Sequence, residues 1–64
     1  MNKYRLTISV VKGDTLLTDI YVVECPTMAI ALGKAARYAE FQLEEEGAEY
    51  VKHISVTLHK EAEA

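Results

Sequence analysis

Two histidines, one cysteine and a cluster of carboxylates are the residues of this 64-residue chain whose types could do chemistry. His53 and His59 alternate onto one side of an extended segment, but the spacing between them is roughly 20 Å at the rise of a strand. Side chains that far apart cannot hold one metal ion, and no group of Cys and His residues has the spacing of zinc ligands. We therefore expect surface histidines and no metal site.

Cys25 is the single cysteine, which excludes an intramolecular disulfide and favours a cytoplasmic protein. It lies at the end of a predicted strand, facing away from the predicted helix. A cysteine acts as a nucleophile only beside a base, and its neighbours in sequence supply none. Because no nucleophile, base and orienting group can be assembled, we predict that the protein is not an enzyme, that it needs no cofactor and that Cys25 is structural or incidental.

The carboxylates form the densest charge cluster, and the cluster coincides with the end of a predicted helix. Such a run is typical of a solvated helix end, although acidic residues there oppose the macrodipole by a few tenths of a kcal/mol each. The functional alternative is attraction to a basic partner or mimicry of phosphate charge. The members are Glu40, Glu44, Glu45, Glu46 and Glu49.

Overall composition narrows the class of partner. Ten acidic and seven basic residues give a net charge of −3, which argues against nucleic-acid binding because such affinity comes largely from Lys and Arg. No apolar run approaches the roughly 18 residues that span a membrane, and the first residues lack the apolar core of a signal peptide. We expect a single soluble domain over 1–64 with no membrane partner.

The elements that position these residues are organised around 27–46, a proline-free stretch that reads as one amphipathic helix. Thr27 is a good N-cap, and Gly47 sits where a left-handed residue would close the helix. A rod of this length, roughly 30 Å, matches a strand of nine or ten residues, so we expect the helix to lie along a sheet. The predicted packing stripe consists of Met28, Ala31, Leu32, Ala35, Ala39 and Leu43.

Three extended segments flank the helix. Residues 3–11 and 50–60 alternate apolar and polar residues, 16–25 forms a second strand after a turn at 12–15, and 61–64 is expected to be a frayed tail. A right-handed crossover gives either the sheet order 2-1-3 with antiparallel neighbours, or a third strand parallel to the second. We predict 2-1-3: an α+β, ββαβ fold with one long helix on one face of a three-stranded antiparallel sheet.

The opposite side of this sheet, here called the open face, is predicted to lack cover. The second strand is ambiguous because apolar residues occupy both of its sides, and we assign Leu17, Tyr21 and Val23 to the open face. A second copy of the chain is the simplest occupant, and a solvated sheet is the alternative. The full predicted set is Arg5, Thr7, Ser9, Val11, Leu17, Asp19, Tyr21, Val23, Val51, His53, Ser55, Thr57 and His59.

The order and spacing of elements from Tyr4 to Leu58 resemble the small RNA-polymerase-inhibitor protein of T7-like bacteriophages. The likeness rests on Ile20 and Tyr21 in a strand that ends in a cap, on the helix at Ala31 and Leu32, and on a last strand led by Val51. That family uses basic residues on its last strand to grip an acidic polymerase surface, at positions that hold His53 and Ser55 here. The resemblance implies a compact phage-type inhibitor.

A second likeness is to small antitoxins of the HicB type, in which a strand and an alanine-bearing helix follow one another as in 22–39. Together these observations predict a non-enzymatic module that binds and occludes a host protein, in the host cytoplasm if phage-encoded. The alternative is a self-associating structural or regulatory subunit. The candidate partner-binding residues are Arg5, Tyr21, Val23, His53 and His59 on the sheet, and Ile30 and Phe41 on the helix, where the last two bracket Lys34 and Arg37 away from the packing stripe.

Overall fold

A computed structural model of the chain describes residues 1–59. Four elements follow in the order β1 (Asn2–Lys12), β2 (Thr15–Cys25), α1 (Met28–Glu44) and β3 (Tyr50–Leu58). The strands form one antiparallel sheet of order β2-β1-β3, and α1 packs on one of its faces. The predicted α+β fold and its strand order are thus confirmed. The tail predicted at 61–64 lies outside the described residues.

A two-residue turn joins β1 to β2 and sets their register. Gly13 has a φ of 62° and Asp14 does not share the positive φ, which fits a tight hairpin turn with glycine at its first central position. Lys12 therefore pairs with Thr15, and the register continues without a shift through eleven pairs to Asn2 and Cys25.

Strand β3 is less regular than β2. It pairs with β1 from Tyr4 opposite Leu58 to Val11 opposite Tyr50, and the register shifts between Ser9 and Val10. The shift leaves Lys52 as an extra residue on β3, as in a β-bulge.

The helix begins as predicted and ends earlier. The side chain of Thr27 accepts a hydrogen bond from the Ile30 amide at 3.2 Å, and Thr27 has extended dihedral angles, as an N-cap should. The last helical residue is Glu44, so α1 has 17 residues, fewer than the predicted 27–46. Gly47 has a φ of 77° and the Ala48 amide donates to the carbonyl of Gln42 at 3.0 Å, so the chain leaves the helix through a left-handed glycine.

Strand β1 and a row of alanines form the core. Ile8 and Val10 on the central strand are each 1% exposed, and Ala31, Ala35 and Ala39 face them from α1. The predicted stripe was too wide: Met28, Leu32 and Leu43 are 40–52% exposed. Because alanine side chains are short, the helix lies close to the sheet and only a narrow strip of its surface is enclosed.

The predicted assignment of β2 side chains to the two faces was wrong. Directly opposed residues in an antiparallel pair share a face of the sheet, and Tyr21 and Val23 oppose Leu6 and Tyr4 of the core. Both therefore lie on the helix side, as do Leu17 and Asp19 by the same register. Val51 was also misassigned, because it opposes buried Val10 and packs against the core.

Candidate partner-binding surface

The open face that the register defines differs from the predicted one along β2. Its central strand contributes Lys3, Arg5, Thr7, Ser9 and Val11, its β3 edge contributes Tyr50, His53, Ser55 and Thr57, and its β2 edge contributes Leu16, Thr18, Ile20, Val22 and Glu24.

An exposed apolar row runs along the β2 edge of this face. Leu16 is 52% exposed, Ile20 62% and Val22 51%, and together they are here called the β2 row. Single exposed apolar residues are ordinary, but alternating positions on one strand place these three in line. Thr18 interrupts the row. Its hydroxyl is 2.9 Å from that of Ser9 on β1, so the polar group between the apolar residues has a hydrogen-bond partner within the sheet.

The sequence contained a signal for this row that the alternation pattern alone did not reveal. Leu16 and Leu17, Ile20 and Tyr21, and Val22 and Val23 are neighbouring apolar pairs, so periodicity cannot choose a face. A two-residue turn does choose, because it fixes Lys12 opposite Thr15 and every later pair with it.

Three of the predicted site residues do lie on the open face or continue it. Arg5 is exposed and opposes Val22 on one side and Thr57 on the other. His53 is exposed and opposes Ser9. His59 follows β3, where its amide donates to the carbonyl of Lys3 at 2.9 Å. Arg5 thus lies directly opposite a member of the β2 row, while the two histidines lie along the other edge.

Tyr21 and Val23 belong to a different site, on the helix side. The Tyr21 ring meets the Tyr38 ring edge-on, with centroids 4.8 Å apart and planes at 62°. The Tyr38 hydroxyl donates to the Asp19 carboxylate at 2.7 Å and accepts from the Gln42 amide at 3.1 Å. Burial, and then the neighbouring Tyr21 and Asp19 side chains, raise the pKa of Tyr38 well above its usual value.

A shallow groove lies beside this tyrosine pair. It has a volume of about 360 Å³ between β2 and α1. Its lining is mostly apolar, with one cation at the rim, and consists of Leu6, Tyr21, Val22, Val23, Lys34 and Tyr38. The groove exists because α1 lies mainly over β1 and β3, which leaves the helix side of β2 partly uncovered.

The helix residues of the predicted site are exposed but lie apart from the open face. Ile30 is 46% and Phe41 48% exposed. Ile30 borders one hollow with Lys34 and Arg37, and Phe41 borders another among Glu40, Glu44 and Glu45. Since α1 covers the opposite side of the sheet, one flat partner cannot contact Phe41 and the open face together.

The placement of Cys25 was predicted wrongly. Its side chain is 2% exposed, within the core cluster on the helix side, and its thiol donates to the Thr27 carbonyl at 3.3 Å. Cys25 therefore packs in the core where the chain passes from β2 to α1.

Within residues 1–59, no group of three or more His, Cys, Asp or Glu side chains is arranged to hold a metal ion, and no helix combines the length and apolarity needed to cross a membrane. No known protein family, characterised protein or solved structure matches the chain.

Proposed function

We propose that the protein is a non-enzymatic binding module that inhibits a larger host protein of the transcription or defence machinery by occluding its surface. The observation that carries this proposal is the β2 row, three exposed apolar side chains in line at one edge of a sheet face whose centre is mostly polar. Exposed apolar residues that are grouped on one surface and rimmed by polar groups are typical of interaction sites.

The chemistry around the row suits a protein partner. Arg5 lies beside Val22, and arginine is one of the residue types enriched at the positions that dominate binding energy in interfaces. Thr57 and His53 place hydrogen-bonding groups at the far edge, where a rim that excludes water is expected. Binding would be steric and electrostatic, with no covalent step.

The resemblance to the polymerase inhibitors of T7-like phages supports the inhibitor class. The likeness rests on the ββαβ order and on Val51 near the start of β3, and this chain has His53 and Ser55 where that family has basic residues. We therefore propose a target that is less acidic than the polymerase surface which those inhibitors grip, with action in the host cytoplasm.

Arg5→Glu tests this proposal, with Arg37→Glu as the matched control. Both positions are exposed, both changes replace an arginine by a glutamate, and the control lies on the helix, away from the groove that Val22 lines. Immobilised wild type, Arg5→Glu and Arg37→Glu are incubated with bacterial lysate, and bound proteins are quantified by mass spectrometry. We expect one host protein to be retained by the wild type and the control and to be reduced about tenfold or more by Arg5→Glu.

The retained protein is then purified and its own activity is assayed with increasing amounts of each variant. Inhibition by the wild type and Arg37→Glu, but not by Arg5→Glu, supports occlusion through the open face. Equal capture by all three proteins, or capture without inhibition, contradicts the proposal.

A further inference from the structure

The outer edge of β2 offers a row of backbone hydrogen-bonding groups. Strand β2 lies at the end of the sheet, so each of its residues bonds either inward to β1 or outward. The carbonyls of Lys3 and Val11 accept from residues on the β3 side, which means that even-numbered β1 residues bond β2. The numbers of opposed residues on β1 and β2 sum to 27, so each even-numbered β1 residue faces an odd-numbered β2 residue. Odd-numbered β2 residues therefore bond inward, to β1. The outward groups belong to Leu16, Thr18, Ile20, Val22 and Glu24.

This edge has little of the protection that sheet edges commonly have. Natural proteins blunt exposed edges with bulges, proline, lysine or inward-pointing charges. Between Thr15 and Cys25 there is no Pro, Lys or Arg, and the register does not shift. The carboxylate of Asp19, the one charge on the helix side of this strand, accepts a hydrogen bond from Tyr38. Edge strand β3, in contrast, has a register shift at Lys52. The two edges of one sheet therefore differ, and β2 is the one open to another strand.

We propose that a second copy of this chain occupies the β2 edge, with the two β2 strands antiparallel about a two-fold axis at Ile20. The dimer is a continuous six-stranded sheet with both helices on one side. Ile20 is the midpoint of Thr15–Cys25, so a second copy paired about it engages every residue of both strands. Each outward pair exchanges two bonds, which gives about ten hydrogen bonds.

Charge selects this register over its neighbours. Each register can be labelled by the sum of the numbers of two directly opposed residues. Only even sums place two outward-bonding residues opposite each other, as the ladder requires. A sum of 38 would place Asp19 opposite the partner's Asp19. Like charges directly opposed on a sheet are destabilising. The proposed sum of 40 places Asp19 opposite the partner's Tyr21 and Glu24 opposite the partner's Leu16, so no like charges face each other. A sum of 36 or 42 leaves part of the strand unpaired.

The interface area predicts a reversible dimer. Eleven residues extend about 36 Å at about 3.3 Å per residue, and a sheet with its side chains is about 10 Å thick. The two copies together therefore bury about 700 Å², below the roughly 1,200 Å² of stable specific interfaces. An interface of this size makes a weak dimer, so we expect it to form only at high protein concentration. The two β2 rows would meet at the axis and form one apolar centre on a face of double width.

The test uses the fact that residue 20 pairs with itself. Ile20→Lys and Ile20→Glu each place like charges at the axis, and Ile20 is 62% exposed, so both variants should fold. Sedimentation of the full chain is measured up to about 1 mM. We expect the wild type to dimerise, each variant alone to be a monomer, and an equimolar mixture of the two variants to restore a dimer, which native mass spectrometry identifies as the heterodimer.

His53→Lys is the matched control, because it adds the same charge at an exposed open-face position on the other edge and should dimerise as the wild type does. Val22→Pro is a second variant that removes an outward amide and no bond to β1, and it should weaken dimerisation at least tenfold. A wild-type monomer at all concentrations, variants that still dimerise alone, or a mixture that stays monomeric overturns the inference. Arg5→Glu leaves the β2 edge intact. The wild type can therefore be a monomer while the proposed function holds, and it can dimerise while the proposed function is wrong.

Discussion

The Tyr38 hydroxyl joins the helix to β2 through hydrogen bonds. It donates to Asp19 at 2.7 Å and accepts from Gln42 at 3.1 Å. We expect Tyr38→Phe to lower the free energy of unfolding by about 1–2 kcal/mol, because a hydrogen bond to a charged acceptor is lost and Asp19 keeps only solvent as a partner. Urea unfolding measures the change. Tyr50→Phe is the control, since that side chain is 53% exposed and should change stability by less than about 0.5 kcal/mol.

The same hydroxyl predicts an alkaline dependence. Burial, followed by Tyr21 and Asp19, raises the pKa of Tyr38 in the folded state. The neutral hydroxyl is therefore favoured by folding, and its contribution is complete below the ordinary tyrosine pKa of about 10 and is lost as the pH rises through the raised folded pKa. Unfolding measured from pH 8 to 11 should show the wild type losing stability relative to Tyr38→Phe above about pH 10. A constant difference across that range would contradict the assignment.

At the scale of the helix, the alanine row sets how close α1 lies to the sheet. Ala35 is 0% exposed, so Ala35→Leu must push the helix outward and should cost about 1–3 kcal/mol or more. Ala36→Leu adds the same side chain at the next, exposed position and should be close to neutral. Thermal unfolding followed by circular dichroism compares the two. Equal stability would mean that the row is not in close contact with β1.

Two glycines of the helical segment should respond in opposite directions to alanine. Gly33 lies inside α1 with nothing within 4 Å of an added Cβ, so Gly33→Ala should stabilise by about 0.5–1 kcal/mol. Gly47 has a φ of 77°, where a Cβ is strained, so Gly47→Ala should destabilise by about 1–2 kcal/mol. Denaturant midpoints at equal slope test both, and a gain at Gly47 would show that the chain can leave the helix differently.

Element order and the N-cap could be predicted from the sequence because each depends on a local pattern of residues. The strand order could be predicted because the topology left few alternatives. Alternation identified β1, Thr27 marked the helix start, and one crossover left only two strand orders. The face of β2 could not be predicted from periodicity, since Ile20 and Tyr21 are apolar neighbours on opposite sides. The candidate site was therefore mixed: Arg5 and His53 lie on the open face, while Tyr21 packs on Tyr38.

At the scale of the whole molecule, amide exchange should separate the two sides of β2. Inward amides of odd-numbered residues such as Tyr21 bond β1 and should be protected in the monomer. Outward amides such as those of Ile20 and Val22 should exchange rapidly in dilute solution and become protected as concentration rises. Hydrogen exchange read by NMR at two concentrations measures this, with β3 amides as the internal reference. Outward amides that stay fast at high concentration would count against pairing at this edge.

The alanine row also limits how strongly the stability of the protein depends on temperature. A helix held close by short side chains encloses little apolar area, and the heat-capacity change on unfolding scales with the apolar area exposed. For 64 residues the enthalpy at the midpoint is about 45 kcal/mol, so the melting transition should extend over many degrees. The stability curve should accordingly be shallow, and refrigeration should neither strengthen nor unfold the protein appreciably.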